Sequence, residues 1–86
     1  MKKYTRIYLD GMGHDETDFI PCEMCGAEAK DIHHIDSRGM GSSKGKDTLD
    51  NLMALCRTCH VAFGDKEQYK QKLMKIHLLT IEERVV

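Results

Sequence analysis

The stretch NLMALCRTCH, residues 51–60, specifies two elements and the turn that joins them. After Asn51 its first half is apolar and has the length of a short strand, and the sequence from Arg57 onward has helical character. Between the two lies a C-x-x-C pair, Cys56 and Cys59. The stretch therefore predicts a strand that passes through a cysteine turn directly into a helix.

A second C-x-x-C pair, CEMC, lies upstream. A chain of 86 residues is near the size at which a staple is needed for stability. Two disulfides would serve in a secreted protein, but MKKYTRIYLD at the start carries charge without an apolar core, which predicts no signal peptide and a cytoplasmic location. In that reducing setting paired C-x-x-C motifs are typical of tetrahedral zinc. We therefore favour one structural zinc ion bound by Cys22, Cys25, Cys56 and Cys59.

Four further polar residues lie close to the cysteines in the sequence, namely His33, His34, Asn51 and His60. His60 follows Cys59 directly, and successive helical residues are rotated by about 100°. If Cys59 faces the zinc, His60 faces elsewhere, and a second ion fits between it and the strand that carries His33. Asn51, at the entry to the second strand, can brace the first. The simpler alternative for the adjacent histidines is a surface pair in a strand.

Five elements in order resemble the HNH nuclease family, the zinc-knuckle branch of the ββα-metal (His-Me finger) nucleases. They are C-x-x-C, His-His-Ile, a glycine-bearing loop, Asn-Leu and Leu-Cys-x-x-Cys-His, over roughly residues 20–64. The resemblance implies a small α+β fold with a ββα-metal core and a zinc knuckle of four cysteines. It also implies a single nuclease domain over residues 1–86, of the phage or mobile-element type.

The resemblance also implies roles for the four polar residues. His33 and His60 would bind a catalytic divalent ion, Mg²⁺ or Mn²⁺ or another, and His34 would be the general base. Asn51 would orient that base and in some members contacts the metal. The implied activity is a DNA endonuclease that leaves a 5′-phosphate and a 3′-hydroxyl. One departure is Gly64, at the position where some members carry a third metal-binding histidine.

Outside the resemblance, periodicity predicts two more elements. The alternating run YTRIYL, residues 4–9, predicts an N-terminal strand. Gly64 is a candidate helix C-cap, and Asp65 with Gln68 resembles a capping box that opens a C-terminal helix. That helix buries a stripe at Tyr69, Leu73 and Ile76. His14 and His77 lie outside the motif and are predicted to be exposed.

The net charge of −1 is unusual for a nucleic-acid-binding domain, which normally has a basic excess. Arg38, Lys44 and Lys46 in the glycine-bearing loop are the candidates for phosphate contacts. The lysines of the last helix, Lys66, Lys70, Lys72 and Lys75, are most simply a solvent face, and the alternative is that they extend the DNA-binding surface. We therefore expect DNA binding with little sequence preference, with specificity supplied by a partner protein or by DNA structure. The sequence leaves the oligomeric state undetermined.

Three classes of function are compatible with the sequence. The first is the endonuclease, and the second is a catalytically weak or inactive zinc module that binds nucleic acid or a partner protein. The third is a purely structural accessory subunit. No stretch approaches the roughly 18 apolar residues of a membrane span, so no membrane partner is expected.

Overall fold

The computed structural model describes residues 2–36 and 45–85, without the side chain of residue 85. Its elements are α1 (Lys3–Met12), β1 (Asp31–His34), β2 (Leu52–Leu55), α2 (Arg57–Phe63) and α3 (Lys70–Val85). Short 3-10 turns precede β2 (Leu49–Asn51) and α3 (Glu67–Tyr69). The order β1, β2, α2 is that of a ββα core, so the predicted small α+β fold is confirmed. Within the described ranges, no helix is long and apolar enough to span a membrane.

The two strands form an antiparallel sheet in which Asp31 lies opposite Leu55. Every residue of β2 is fully buried, because helices cover both faces of the sheet. Met53 and Leu55 pack toward the cysteines and α3, whereas Leu52 and Ala54 pack toward α1. In the described part of the chain, one small apolar cluster therefore lies on each side of β2. Both predicted strands of the motif are confirmed.

The N-terminal segment is a helix, so the prediction of a strand over residues 4–9 is wrong. Its sequence also places Tyr8, Leu9 and Met12 on one helical face, and this face is buried against β2. No side chain caps the first turn of α1, and the helix ends at Gly13 in the left-handed conformation (φ 76°). Burial against the sheet, more than any local signal, therefore makes this segment helical.

The connection between α2 and α3 differs from the prediction. Gly64 caps α2 as predicted, but its φ is −69°, and it is Asp65 that is left-handed (φ 58°). Instead of a capping box formed by Asp65 and Gln68, the turn Glu67–Tyr69 opens the segment, and α3 begins at Lys70.

The buried stripe of α3 is confirmed, with Leu73 fully buried and Tyr69 and Ile76 half-buried beside it. His77 lies one turn beyond Leu73 on the same face and is 0% exposed. The side chain of His14 is 8% exposed. The prediction that these two histidines are exposed is therefore wrong, because a polar residue type does not report which face of the fold it occupies.

Candidate functional site

The four cysteines meet at the junction of β2 and α2, as their spacing predicts. All four are free thiols whose sulfur atoms lie within 4.8 Å of one another, and Sγ of Cys25 is 3.6 Å from Sγ of Cys56. Zinc–sulfur bonds of about 2.3 Å in a tetrahedron place the sulfur atoms about 3.8 Å apart. A disulfide needs a separation of about 2.05 Å. The cluster of Cys22, Cys25, Cys56 and Cys59 therefore fits a zinc ion and not two disulfides.

Backbone N–H groups support negative charge on these sulfur atoms. The N–H of Cys59 donates to Sγ of Cys56 at 3.4 Å. Burial opposes ionisation of Cys22, but N–H groups of Cys56, Cys25 and Met24 bring the pKa of its thiol down to about 7. Burial raises the pKa of Cys59, and the neighbouring thiols raise it further. A bound cation is therefore needed before all four carry charge, which zinc supplies.

A second cluster lies between β1 and the end of α2. The rings of His33 and His60 have centroids 4.9 Å apart, and one ligand atom of each lies within 4.8 Å of an oxygen of Asp65. His33 is 4% exposed, and this burial lowers its pKa, so the ring is neutral near pH 7. Two imidazole nitrogens and a carboxylate oxygen suit a divalent ion that keeps positions for water and phosphate.

Asp31, at the start of β1, orients His60. Its Oδ2 lies 2.9 Å from Nδ1 of His60 and 3.1 Å from Nε of Arg57. Because a carboxylate accepts, Nδ1 of His60 carries the proton and Nε2 keeps its lone pair for an ion. Asp31 was not singled out from the sequence. The available signal was its position two residues before His33, on the same face of the strand.

Asp65, the neighbour of Gly64, is a third candidate metal ligand. A Cβ atom on Gly64 would collide with the ring of His60 and lie 2.6 Å from the His60 carbonyl oxygen. A side chain at position 64 would therefore displace His60. Asp65 follows directly, and its carboxylate lies with His33 and His60. This residue was also missed, and its signal was an acidic side chain next to the missing ligand.

His34 lies on the opposite face of β1 from His33, because adjacent strand residues alternate. Its Nε2 is 2.7 Å from Oδ1 of Asp47, and its ring meets the edge of Tyr4 with centroids 4.7 Å apart. The two neighbouring histidines therefore have different partners. His33, with His60 and Asp65, forms the candidate site that we call the metal-ligand cluster. His34 belongs to a histidine–aspartate pair at the end of β1.

The side chain of Asn51 bonds to the backbone, and the prediction that it orients His34 stays a prediction. Its side-chain oxygen accepts the N–H of Asp36 at 2.7 Å, and its nitrogen donates to the carbonyl oxygens of Asp36 at 3.0 Å and Lys46 at 2.9 Å. Asn51 is buried. Its bonds to Asp36 and Lys46 attach both of these residues to the entry of β2. It thereby holds the chain immediately before Asp47.

Two of the three predicted phosphate-binding residues, Arg38 and Lys44, lie outside the described residues. The third, Lys46, pairs with the carboxylate of Asp36. Lys70 of α3 pairs with the same carboxylate, with Nζ 2.6 Å from Oδ1. The structure therefore places one lysine of the last helix at the edge of the candidate site, whereas the sequence suggested a solvent face.

The family model for the HNH endonuclease matches residues 22–66, which is more than half of the chain. The matched range contains all four cysteines of the cysteine cluster. It also contains His33, His60 and Asp65 of the metal-ligand cluster. No curated protein and no solved structure gives a significant match to the chain. The family suggests nuclease activity and metal binding. With its motif, its ββα core and both clusters inside the matched range, the chain belongs to the HNH endonuclease family.

Proposed function

We propose that this chain is a metal-dependent DNA endonuclease that hydrolyses phosphodiester bonds with one catalytic divalent ion and a histidine general base. The observation that carries the proposal is the cluster of His33, His60 and Asp65 beside a separate cysteine cluster. Four thiolates close a zinc site and leave no position for chemistry. Three protein ligands would hold a divalent ion and leave it positions for water and a phosphate oxygen.

In this proposal, the protonation and charge of the metal-ligand cluster suit it to hold the catalytic ion. When bound, Mg²⁺, Mn²⁺ or another divalent ion supplies a Lewis acid for the phosphoryl oxygens and the leaving group. Burial keeps His33 neutral, and the bond from Nδ1 of His60 to Asp31 leaves Nε2 as the ring nitrogen that can bind an ion. Asp65 adds the negative charge that two neutral imidazoles lack.

His34 is the proposed general base. Asp47 accepts the N–H of Nε2, which leaves Nδ1 to take a proton from the attacking water. The same carboxylate stabilises the imidazolium that forms. A phosphodiester that lies across the end of β1 would contact both faces of the strand. Asn51 is a positioning residue in this proposal, because it holds the segment that leads to Asp47.

A catalytically weak zinc module that binds nucleic acid or a partner protein is the second candidate. The observation that favours it is the separation of His33 and His34 onto opposite faces of β1. A base that does not reach the phosphate held at the ion would leave hydrolysis slow.

Incubation of zinc-loaded protein with supercoiled plasmid and Mg²⁺, Mn²⁺, Ni²⁺ or EDTA tests the proposal. We expect nicked or linear DNA with at least one ion and none with EDTA. His34→Ala should lose cleavage and keep the Mn²⁺ affinity of the parent. His33→Ala and His60→Ala should bind Mn²⁺ more weakly and recover partly as its concentration rises. His14→Gln, which lies outside both clusters, is the matched control.

Two results would count against the assignments. Cleavage by His34→Ala at the rate of the parent would exclude His34 as the base. A folded, zinc-loaded parent that cuts no plasmid with any ion would favour the zinc module instead.

A further inference from the structure

Two cavities adjoin at Lys70, the first residue of α3. The inner cavity, about 220 Å³, contains His33 and Asp65 of the candidate site. The outer one, about 580 Å³, follows the turn Glu67–Tyr69 and the start of α3, and Glu67 and Lys70 line both cavities. The other residues of the outer cavity are Gln68, Gln71 and Met74. A groove therefore leads from the proposed catalytic ion along α3.

Lys70 already holds an anionic oxygen in this structure. Its ammonium group lies 2.6 Å from Oδ1 of Asp36, and Lys46 binds the other oxygen of the same carboxylate. Two ammonium groups on one carboxylate leave a net positive charge. The side chains of Lys70 and Asp36 are 35% and 39% exposed, so a phosphate oxygen can reach them from solvent. The two lysines also lower the pKa of Asp36 to about 2.

The charges around the inner cavity make this contact depend on the ion. Among the residues that the structure describes, two lysines and three carboxylates line it, namely Lys66, Lys70, Asp36, Asp65 and Glu67. This described part of the lining is negative by itself, and a divalent ion at the cluster would reverse its sign. A phosphate is repelled from the empty cavity and attracted to the loaded one.

We propose that the DNA strand carrying the scissile phosphate runs along the first turns of α3, where Lys70 binds the neighbouring phosphate. This inference rests on the proposed function and adds a binding residue outside the range of the family match, which ends at residue 66. In the outer cavity Gln68 and Gln71 provide amides that bond to phosphate or base edges, and Met74 provides an apolar contact. The strand then leaves the site over α3.

The salt dependence of DNA affinity tests this contact without any need for turnover. Affinity for a short fluorescent duplex is measured by anisotropy over a salt series in Ca²⁺, and again with no added divalent ion. Lys70→Gln should reduce the slope of log affinity against log salt by about 0.9, the value for one lost phosphate contact. Lys70→Arg keeps the charge and should keep the slope. Binding by the parent should tighten when Ca²⁺ is added.

Lys72→Gln is the matched control on the same helix. Its ammonium group lies 5.9 Å from the centroid of the Phe63 ring, and it lines neither cavity. We expect the slope of the parent from this variant. Equal slopes for the parent and Lys70→Gln, or equal losses for Lys70→Gln and Lys72→Gln, would overturn the inference. So would a parent that does not bind the duplex at low salt.

The proposed function and this inference can fail separately. A parent that binds the duplex with the Lys70-dependent slope but cuts no plasmid supports the contact and contradicts the endonuclease. A parent that cuts plasmid while Lys70→Gln keeps its full slope supports the endonuclease and contradicts the contact. Thermal unfolding of each variant, with zinc bound, confirms that the compared proteins are folded.

Discussion

Asp65 adopts a left-handed backbone conformation with φ of 58°, and its carboxylate lies with the imidazoles of His33 and His60. A side chain in this conformation costs roughly 1 kcal/mol, somewhat less for aspartate than for most residues. Non-glycine residues with such strain are found preferentially at functional sites, where the surrounding structure holds them. Asp65 has this strained backbone and also provides the carboxylate of the metal-ligand cluster.

Substitution of Asp65 separates the cost of the backbone from the benefit of the ligand. Asp65→Gly should be more stable than Asp65→Ala by about 1 kcal/mol, because glycine accepts a positive φ and alanine does not. Both should bind Mn²⁺ more weakly than the parent. Denaturant unfolding without added Mn²⁺ and a Mn²⁺ titration measure the two effects. Equal stability of the two variants, or unchanged Mn²⁺ affinity, would contradict this prediction.

Asn51 makes three hydrogen bonds to the backbone of Asp36 and Lys46. Asn51→Ala should lower the free energy of unfolding by about 2–3 kcal/mol, because three partly buried backbone groups lose their partners. If its role is positioning, cleavage should fall along with stability and recover partly at lower temperature. Unfolding in denaturant and cleavage at two temperatures are the measurements. Unchanged stability with abolished cleavage would show instead that Asn51 acts directly on substrate or ion.

At the scale of elements, α3 is attached by a buried polar contact as well as by apolar packing. Nδ1 of His77 lies 2.7 Å from Oε1 of Glu23, and Nε2 lies 2.6 Å from the carbonyl oxygen of Leu49. Both oxygens are acceptors, so both ring nitrogens carry protons and His77 is a cation. The hydroxyl of Tyr8 donates to the other oxygen of Glu23 at 2.6 Å. The contact therefore joins α3, α1 and the cysteine turn.

This contact predicts a pH dependence of stability. Burial alone would lower the pKa of His77, but the bond and charge of Glu23, the Leu49 carbonyl and the charge of Asp50 raise it above 6.5. The folded protein therefore keeps a proton that the unfolded chain releases. The contribution is fully present below pH 6.5 and is lost as the pH rises through the folded pKa. Burial also raises the pKa of Tyr8, which stays protonated in this range.

Unfolding of the zinc-loaded protein in denaturant from about pH 6 to pH 9 measures this dependence. We expect the free energy of unfolding of the parent to decline with pH more steeply than that of His77→Gln, which has no imidazole to titrate. Parallel curves for the two proteins would contradict the ion pair. The range lies above the acidic pH at which protonation of the thiolates would release zinc.

At the scale of the whole molecule, the cysteine cluster is part of the core. Cys22, Cys56 and Cys59 are buried in the same apolar cluster as Leu55 and Leu73. A zinc ion there connects the turn before β1 to the start of α2, across a segment of 38 residues from Cys22 to Cys59. An 86-residue chain with two small apolar clusters has little other stabilisation to replace it.

Removal of zinc should therefore unfold the chain. Structural zinc contributes about 10–16 kcal/mol in small domains, which is comparable to or larger than the roughly 5–15 kcal/mol of a typical fold. We expect one zinc per chain by elemental analysis and loss of helical circular dichroism on chelation. Added zinc should restore the signal. A Cys56→Ser protein that stays folded, or purified protein without zinc, would contradict the prediction.

The sequence by itself determined the motif core. Two local patterns with a known physical meaning define this core. One is the spacing of the four cysteines, and the other is the pair of short strands between the two C-x-x-C motifs. They were sufficient for the strand that carries His33, the strand after Asn51 and the helix that begins at Arg57. They also brought His33 and His60 to one cluster, because strand alternation and helix rotation are properties of the chain itself.

Only the tertiary structure decided what depends on distant neighbours. The apolar residues of segment 4–9 fit both the two-residue period of a strand and the 3.6-residue period of a helix. Burial against β2 selects the helix. His77 is buried because Glu23 and Leu49 provide acceptors from other parts of the chain. Asp65 is a candidate ligand because its carboxylate, on a residue with positive φ, lies beside two histidines. These features depend on which residues are close in three dimensions and on the backbone conformation. A local pattern of residue types along the chain specifies neither of these.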